Sequence, residues 1–237
     1  MVRRTLPMHR KVAETMVSAG SRNSSLRNLI KTQPDIASAV IRFNTDLAAN
    51  LHPDQKSTFV PKLPASLWDQ PRLAARISKI VAAQTGLEKK LYLEIPNPLW
   101  AMILLPQDRL QRLALHMGAL VLGIRVRASL SREHVMAWKN RLGNEAYQFA
   151  LNSASLLPVT QIPLAAIASD SALDIGASII GAVIAPEPES LKRRVSLKLP
   201  GAISAIPIES EKARRLITVV IQILEGEWYS SCAKLRG

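Results

Sequence analysis

The sequence predicts a mainly α-helical protein, and three observations support this prediction. Hydrophobic residues make up 48% of the 237-residue chain, whereas aromatic residues make up only 4%. A core of Leu, Ile, Val and Ala packs well along helices, while sandwiches and barrels depend more on aromatic and β-branched pairs. Several segments also repeat apolar residues at the interval of a helix face. We therefore expect a compact helical domain with short irregular or β segments.

The chain is predicted to divide into a basic N-terminal arm, residues 1–33, and a single mainly helical domain, residues 34–237. Within the domain, residues 153–198 are predicted to form an insertion. Residues 153–188 differ in composition, because they are rich in Ala, Ile and Gly, and we interpret them as a less regular insertion or subdomain. Near the end of the insertion, residues 195–199 alternate apolar and polar side chains, as a short strand does.

The first part of the domain is predicted to hold two helices and a proline-rich connection. Apolar residues recur at a helical interval over 36–49 and again over 72–83, where Gly86 suits the C-terminal cap. Between the two helices, the prolines from Phe59 to Pro71 predict an extended segment over the surface of the domain. Trp68 is the expected anchor of that segment.

The second part of the domain carries the clearest helical pattern. Apolar residues from Leu110 to Val121 form one continuous stripe, and we expect Gly123 to end that helix. Ser131 suits the N-cap of the next helix, and Gly143 is expected to separate it from a further one. A final amphipathic helix is predicted over 209–227.

The charge of the chain indicates the kind of partner it would bind. The formal net charge is +13, and the first 90 residues hold 15 basic against 6 acidic residues. Such an excess suits an acidic protein surface or a polyanion. The basic residues are dispersed, however, without the interleaved aromatic residues that stack on bases. A solvated basic face or an acidic protein partner is therefore favoured, and a basic helical nucleic-acid-binding protein is the alternative.

The sequence contains no pattern typical of an enzyme. It has no GxSxG elbow or P-loop, and the glycine pairs beginning at Gly118 and Gly176 are interpreted as sites of close helix packing. No histidine has a partner at metal-ligand spacing, and His116 is expected at the edge of the core. A single cysteine, Cys232, excludes an intrachain disulfide. We predict no catalytic, cofactor-binding or metal-binding residue.

The chain is also predicted to remain in the cytoplasm. Its longest apolar runs are shorter than the roughly 20 residues that a membrane span requires. Polar and charged residues interrupt the first 20 residues before the apolar core of a signal peptide develops. A soluble, non-enzymatic protein is the expectation that follows.

Three stretches occur in an order that resembles a known family. They are Phe43-Asn44 followed by Leu51-His52-Pro53, then residues 104–151 with Arg125, Gly143 and Phe149, and last the closing helix that reaches Trp228. Together they resemble the SctK family, whose members include YscK, PscK, MxiK and OrgA. These proteins are accessory components of the sorting platform of bacterial type III secretion systems.

The resemblance implies a cytosolic adaptor without catalysis, cofactor or small-molecule substrate. Such an adaptor links the cytoplasmic domain of the inner-membrane ring protein SctD to the pod protein SctQ, and through it indirectly to SctL and the SctN ATPase. It would lie at the cytosolic face of the secretion apparatus of a Gram-negative bacterium without entering the membrane. The family-motif residues, which we expect to be structural or partner-binding, are Phe43, Asn44, Leu51, His52, Pro53, Arg125, Gly143, Phe149 and Trp228.

Overall fold

The computed structural model describes residues 26–68, 70–88, 91–92, 99–153, 155–156, 171–200 and 208–236. Every regular element within these ranges is a helix, which confirms the predicted fold class. Among the described residues, 3₁₀ turns at Ala65–Leu67 and Lys234–Arg236 accompany the α-helices. The α-helices are α1 (26–32), α2 (Pro34–Thr45), α3 (Pro53–Phe59), α4 (Pro71–Thr85), α5 (Trp100–Ile103), α6 (Gln107–Ala128), α7 (Arg132–Asn152), α8 (Ala172–Ile184), α9 (Glu189–Ser196), α10 (Ser210–Leu224) and α11 (Gly226–Ala233).

Local sequence determines where many of these helices begin and end. Three helices start with a proline, whose fixed φ suits the first helical turn; these prolines are Pro34, Pro53 and Pro71. The hydroxyl of Ser131 accepts a hydrogen bond from the backbone N–H of His134 (3.2 Å), so the predicted N-cap of α7 is confirmed. Gly86 ends α4 in the left-handed conformation with φ 67°, also as predicted.

Helices α6 and α8 form the centre of the core and approach each other very closely. A β-carbon at Gly118 would lie 1.8 Å from the carbonyl oxygen of Ala172. On the facing helix, a β-carbon at Gly176 would lie 1.8 Å from the carbonyl oxygen of Ala114. The prediction that these two glycines permit close helix packing is therefore confirmed.

A smaller apolar cluster forms around Trp68, whose side chain is buried as expected of an anchor. Leu47 and Leu51 contribute to this cluster, as does Val81 from α4. The extended segment predicted between Phe59 and Pro71 is wrong. Phe59 is instead the last residue of α3, and the residues after it form tight turns. Hydrogen bonds between backbone groups three residues apart in sequence satisfy polar groups that an isolated extended chain would leave without a protein partner.

Helix α6 continues past Gly123 to Ala128, so the predicted end at this glycine is wrong. One glycine inside a helix costs only about 1 kcal/mol relative to Ala, which tertiary packing readily offsets. Gly123 also has a packing role, because a β-carbon there would lie 3.1 Å from the carbonyl oxygen of Ala150 on α7.

The interpretation of residues 153–188 as less regular is wrong for α8. Helix α8 is central to the core, and Ile175, Ile179 and Val183 on it are fully buried. The strand predicted over 195–199 is also wrong, because Val195 and Ser196 belong to α9. Leu191 and Val195, which are four residues apart, are both buried on one face of α9. Burial of this face favours a helix over the strand that the alternation of apolar and polar residues predicted. The division into an arm and a domain with an insertion stays a prediction.

The final amphipathic helix is interrupted, contrary to the prediction of one helix over 209–227. Glu225 has φ −138° and ψ 44°, a non-helical conformation that separates α10 from α11. Among the described residues, no helix combines the length and apolar character that crossing a membrane would require.

Candidate functional site: the family-motif residues

Phe43 and Asn44 fix the short segment around Tyr92 against α2. The Asn44 side-chain amide donates to the Tyr92 carbonyl oxygen (2.9 Å), and its oxygen accepts from the Tyr92 backbone N–H (2.7 Å). One side chain thus satisfies both backbone groups of Tyr92, as a neighbouring strand would. The Phe43 ring meets the Tyr92 ring edge-on with centroids 6.5 Å apart. Both motif residues are buried and hold two segments together.

The Leu51-His52-Pro53 motif connects the start of α3 to the turn after α9. The His52 backbone N–H donates to the Leu197 carbonyl oxygen (2.7 Å), and His52 Nδ1 accepts from the Asp54 backbone N–H (3.2 Å). Pro53 follows as the first residue of α3, and Leu51 is buried in the cluster around Trp68. The motif therefore caps a helix and binds a distant part of the chain at the same point.

Gln55 and Lys198 complete this connection. Gln55 Nε2 donates to the carbonyl oxygens of Ser196 (2.8 Å) and Leu199 (2.7 Å). Lys198 is fully buried, and its ammonium lies 4.9 Å from the centre of the Phe43 ring. We call Phe43, His52, Gln55 and Lys198 the clasp, because they join α2, α3 and the turn after α9. Cation–π contact of this kind stabilises a desolvated ammonium.

Lys198 also binds the backbone at the end of α5. Its Nζ donates to the carbonyl oxygens of Ile103 (2.8 Å) and Leu105 (2.7 Å), so both hydrogen bonds go to backbone rather than to a carboxylate. Burial lowers the pKa of Lys198 to about 7. Because the amine is engaged by two carbonyls, its geometry fits a structural role and not attack on a substrate.

A cleft of about 170 Å³ lies beside the clasp. Its wall contains charges of both signs, from Arg42, Asp46 and Asp108, together with Lys198. The described lining residues include no histidine, cysteine or serine that could form a nucleophile–base pair. Within the ranges that the structure describes, no three His, Cys, Asp or Glu side chains are grouped to hold a metal ion.

Gly143 and Phe149 shape the helix α7. Gly143 has φ 74° and ψ 162°, a conformation that L side chains rarely adopt, and it kinks the helix where a separation was predicted. Six residues later, the Phe149 ring packs edge-on against the ring of His116 at 5.2 Å. His116 is buried rather than at the edge of the core, and burial lowers its pKa.

An ion-pair network surrounds His116 on the outside. Arg112 forms ion pairs with Glu145 on α7 and with Glu225 (3.4 Å) at the break between α10 and α11, and Arg109 also reaches Glu225 (3.2 Å). The hydrogen bond from Arg112 holds the pKa of the Glu145 carboxyl below its usual value. His116 Nδ1 donates to the Arg112 carbonyl oxygen (2.8 Å). The network ties α6 to both of its neighbours.

The remaining motif residues, Arg125 and Trp228, lie in two further places. Trp228 Nε1 donates to the Ala101 carbonyl oxygen (2.8 Å), which attaches α11 to α5. Arg125 is half-buried in the last turn of α6, and its carbonyl oxygen accepts from the Ser129 hydroxyl (2.9 Å). That hydroxyl also accepts from Trp138 Nε1 (3.0 Å). The motif residues thus do not converge on one site. Asn44, His52 and Trp228 each join two elements, whereas Gly143 shapes a single helix.

A scan against models of protein families matches residues 42–236 with the family described as YOP proteins translocation protein K (YscK). The chain belongs to the YscK family. This is the SctK family of type III secretion, so the resemblance drawn from the motif residues is confirmed. Searches of curated proteins and of solved structures give no match.

The YscK match includes all nine family-motif residues and the whole of α8 and α9. Membership makes this a type III secretion protein, of a family of structural or accessory components. Sequence reasoning missed two features that the structure places among the motif residues, which are Lys198 and the ion pairs of Arg112. The sequence contains one weak indication that Lys198 is unusual, because this single cation lies between Leu197 and Leu199.

Proposed function

We propose that this YscK-family protein is a cytosolic adaptor of the type III secretion sorting platform. It links the cytoplasmic domain of the ring protein SctD to the pod protein SctQ, and through SctQ it is connected indirectly to SctL and the SctN ATPase. The observation that carries the proposal is the family match over residues 42–236. In this role the protein works at the cytosolic face of the inner membrane, without a cofactor, a substrate or a catalytic step.

The close packing of the helices and the contacts between distant elements support this role. An adaptor that connects two partners must keep its two contact surfaces at a fixed separation, and a closely packed body does so. Helices α6 and α8 pack backbone to backbone at Gly118 and Gly176. The clasp and the Arg112 network then join elements that are far apart in sequence. The described part of the chain is therefore braced at several independent points.

The charge supports an acidic protein as partner. The net charge of +13 complements acidic surfaces, and complementary charge raises association rates and fixes orientation more than it adds affinity. Several apolar side chains also remain exposed among the described residues, including Leu91 and Leu130. Exposed apolar groups framed by charge are typical of protein contacts.

The test uses three purified proteins from one bacterium: this chain, the SctD cytoplasmic domain and SctQ. We expect each partner to bind the chain separately in titration calorimetry, and all three to elute together from a sizing column. SctD and SctQ mixed without the chain should elute apart, which is the control for bridging. Binding of only one partner, or competition of the two for the chain, would contradict an adaptor. Duplex DNA binding that falls steeply with salt would favour the nucleic-acid alternative.

A further inference from the structure

The junction of α6 and α7 is built differently from the rest of the described molecule. Residues 132–141, the first half of α7, contain no buried residue, and the first buried side chain of this helix is Leu142. Only Val135 and Trp138 of this half pack partly against the core. We call residues 124–141 the α6–α7 elbow. Half of a well-formed helix therefore contributes little to the folded core.

The elbow exposes three large apolar side chains, Ile124, Leu130 and Met136, with relative exposures of 49%, 92% and 48%. Leu130 precedes the N-cap Ser131, a position whose apolar side chain commonly packs back on the fourth helical residue. That residue is Val135, yet Leu130 is almost fully exposed instead of covering it. The leucine is thus presented outward at a position where local packing would normally turn it inward.

The same segment is strongly basic. Residues 124–141 hold five basic residues and one acidic residue, a net charge of +4; the basic residues are Arg125, Arg127, Arg132, Lys139 and Arg141. The Arg141 guanidinium lies over the Trp138 ring at 4.8 Å, so part of this charge is held against the helix. Exposed apolar side chains framed by cations resemble the centre and rim of a protein interface.

We infer that the α6–α7 elbow is the docking surface for an acidic protein surface that offers an apolar pocket to Leu130 and Met136. The net charge of +4 fixes the sign of the partner, and the two side chains require an apolar surface to cover them. A phosphate backbone would satisfy the charge but would leave both side chains in water, so a protein fits better than a nucleic acid. The inference rests on the proposed function, since it assigns one of the adaptor's two contacts to this elbow.

The first experiment replaces Leu130 and Met136 with Asp together and measures binding to the purified SctD cytoplasmic domain and to SctQ. Ile223→Asp is the matched control, because Ile223 is 55% exposed on α10, outside the elbow. The double variant should weaken binding to one partner at least about tenfold and leave the other within about twofold. Circular dichroism and thermal unfolding of all variants should be unchanged, because none of these side chains is buried.

The second experiment identifies the contact in cells. A photo-crosslinking amino acid is placed at position 130 and, as control, at position 223, in a strain with active type III secretion. We expect an adduct at position 130 with an acidic protein of the secretion apparatus, identified by mass spectrometry, and a lower yield of it at position 223. Arg132→Glu should reduce the adduct at position 130, because it reverses a charge that faces an acidic partner.

Each outcome decides between the two proposals. If the double variant binds both partners as the wild type does, or if position 130 yields nucleic acid, a second copy of this chain or no adduct, the elbow inference is overturned. Wild-type binding to both partners would in that case leave the proposed function standing. If the wild type binds neither purified partner, the proposed function fails. In that case the crosslinking experiment tests the elbow inference by itself. An adduct between position 130 and an acidic protein of the secretion apparatus supports the inference, and the lack of such an adduct overturns it.

Discussion

Lys198 should make the folded chain more stable as the pH rises from about 7 toward about 10.5. Burial lowers its pKa to about 7 in the folded chain, from 10.5 for an exposed lysine. Between these two values the unfolded chain binds a proton that the folded chain does not bind. The free energy of unfolding therefore increases with pH over this window, and below pH 7 the full cost of burying the ammonium is present.

The magnitude follows from the two pKa values. They differ by about 3.5 units, and one unit corresponds to about 1.4 kcal/mol, so the complete change is at most about 5 kcal/mol. Between about pH 7.5 and about pH 9 the expected rise is about 2 kcal/mol. Lys198→Met removes the titrating group and keeps its length. It leaves the Ile103 and Leu105 carbonyl oxygens unpaired at a cost of about 1–3 kcal/mol each, which does not depend on pH.

Urea unfolding followed by circular dichroism measures this difference. The wild type and Lys198→Met are unfolded at several pH values between about 6 and about 9.5, and the difference between their free energies of unfolding is plotted against pH. All other titrating groups are common to the two proteins and cancel. Lys79→Met, at an exposed position on α4, is the control and should run parallel to the wild type. A difference for Lys198→Met that stays constant with pH would refute the reasoning.

Three further substitutions test individual contacts, two by chemical unfolding and one by amide exchange. Gly118→Ala should destabilise the chain by about 1–3 kcal/mol, because its β-carbon would meet backbone, whereas Gly226→Ala, with nothing within 4 Å, should be neutral or slightly stabilising. Gly143→Ala should cost about 1–3 kcal/mol through its φ of 74° alone, and an unchanged stability would contradict the kink. Asn44→Ala should speed amide exchange of Tyr92 in NMR, since it removes both hydrogen bonds; unchanged exchange would argue against the pairing.

The parts of the fold that sequence could predict depend on neighbouring residues. The stripe from Leu110 to Val121 identified α6, and Ser131 and Gly86 marked helix ends through their own backbone and side-chain chemistry. The wrong predictions concern residues whose conformation depends on packing against other parts of the chain. Gly123 remains helical because α7 approaches it closely, and residues 195–196 are helical because one face of α9 is buried.

The candidate site was predictable only in part, for the same physical reason. Ordered motifs located Asn44 and His52, but their partners, Tyr92 and Leu197, lie far along the chain. A lysine between two leucines does not reveal that its ammonium will meet backbone carbonyls more than 90 residues away. Long-range pairing of this kind depends on the assembled core, which no local pattern encodes.

The contacts of the motif residues also separate stability from binding. Phe43, Asn44 and His52 are buried and contact distant parts of the chain, Asn44 and His52 through hydrogen bonds. Substitutions there should therefore lower stability first and any partner affinity only as a result. The elbow is the opposite case, because the kink at Gly143 separates a second half of α7 with buried residues from a first half that contacts the core only through Val135 and Trp138. Leu130 can therefore change without a cost to the core, whereas Phe43 cannot. A surface that the fold does not need is free to be shaped by a partner, and we expect variation at Leu130 to follow the partner's surface rather than the helical body.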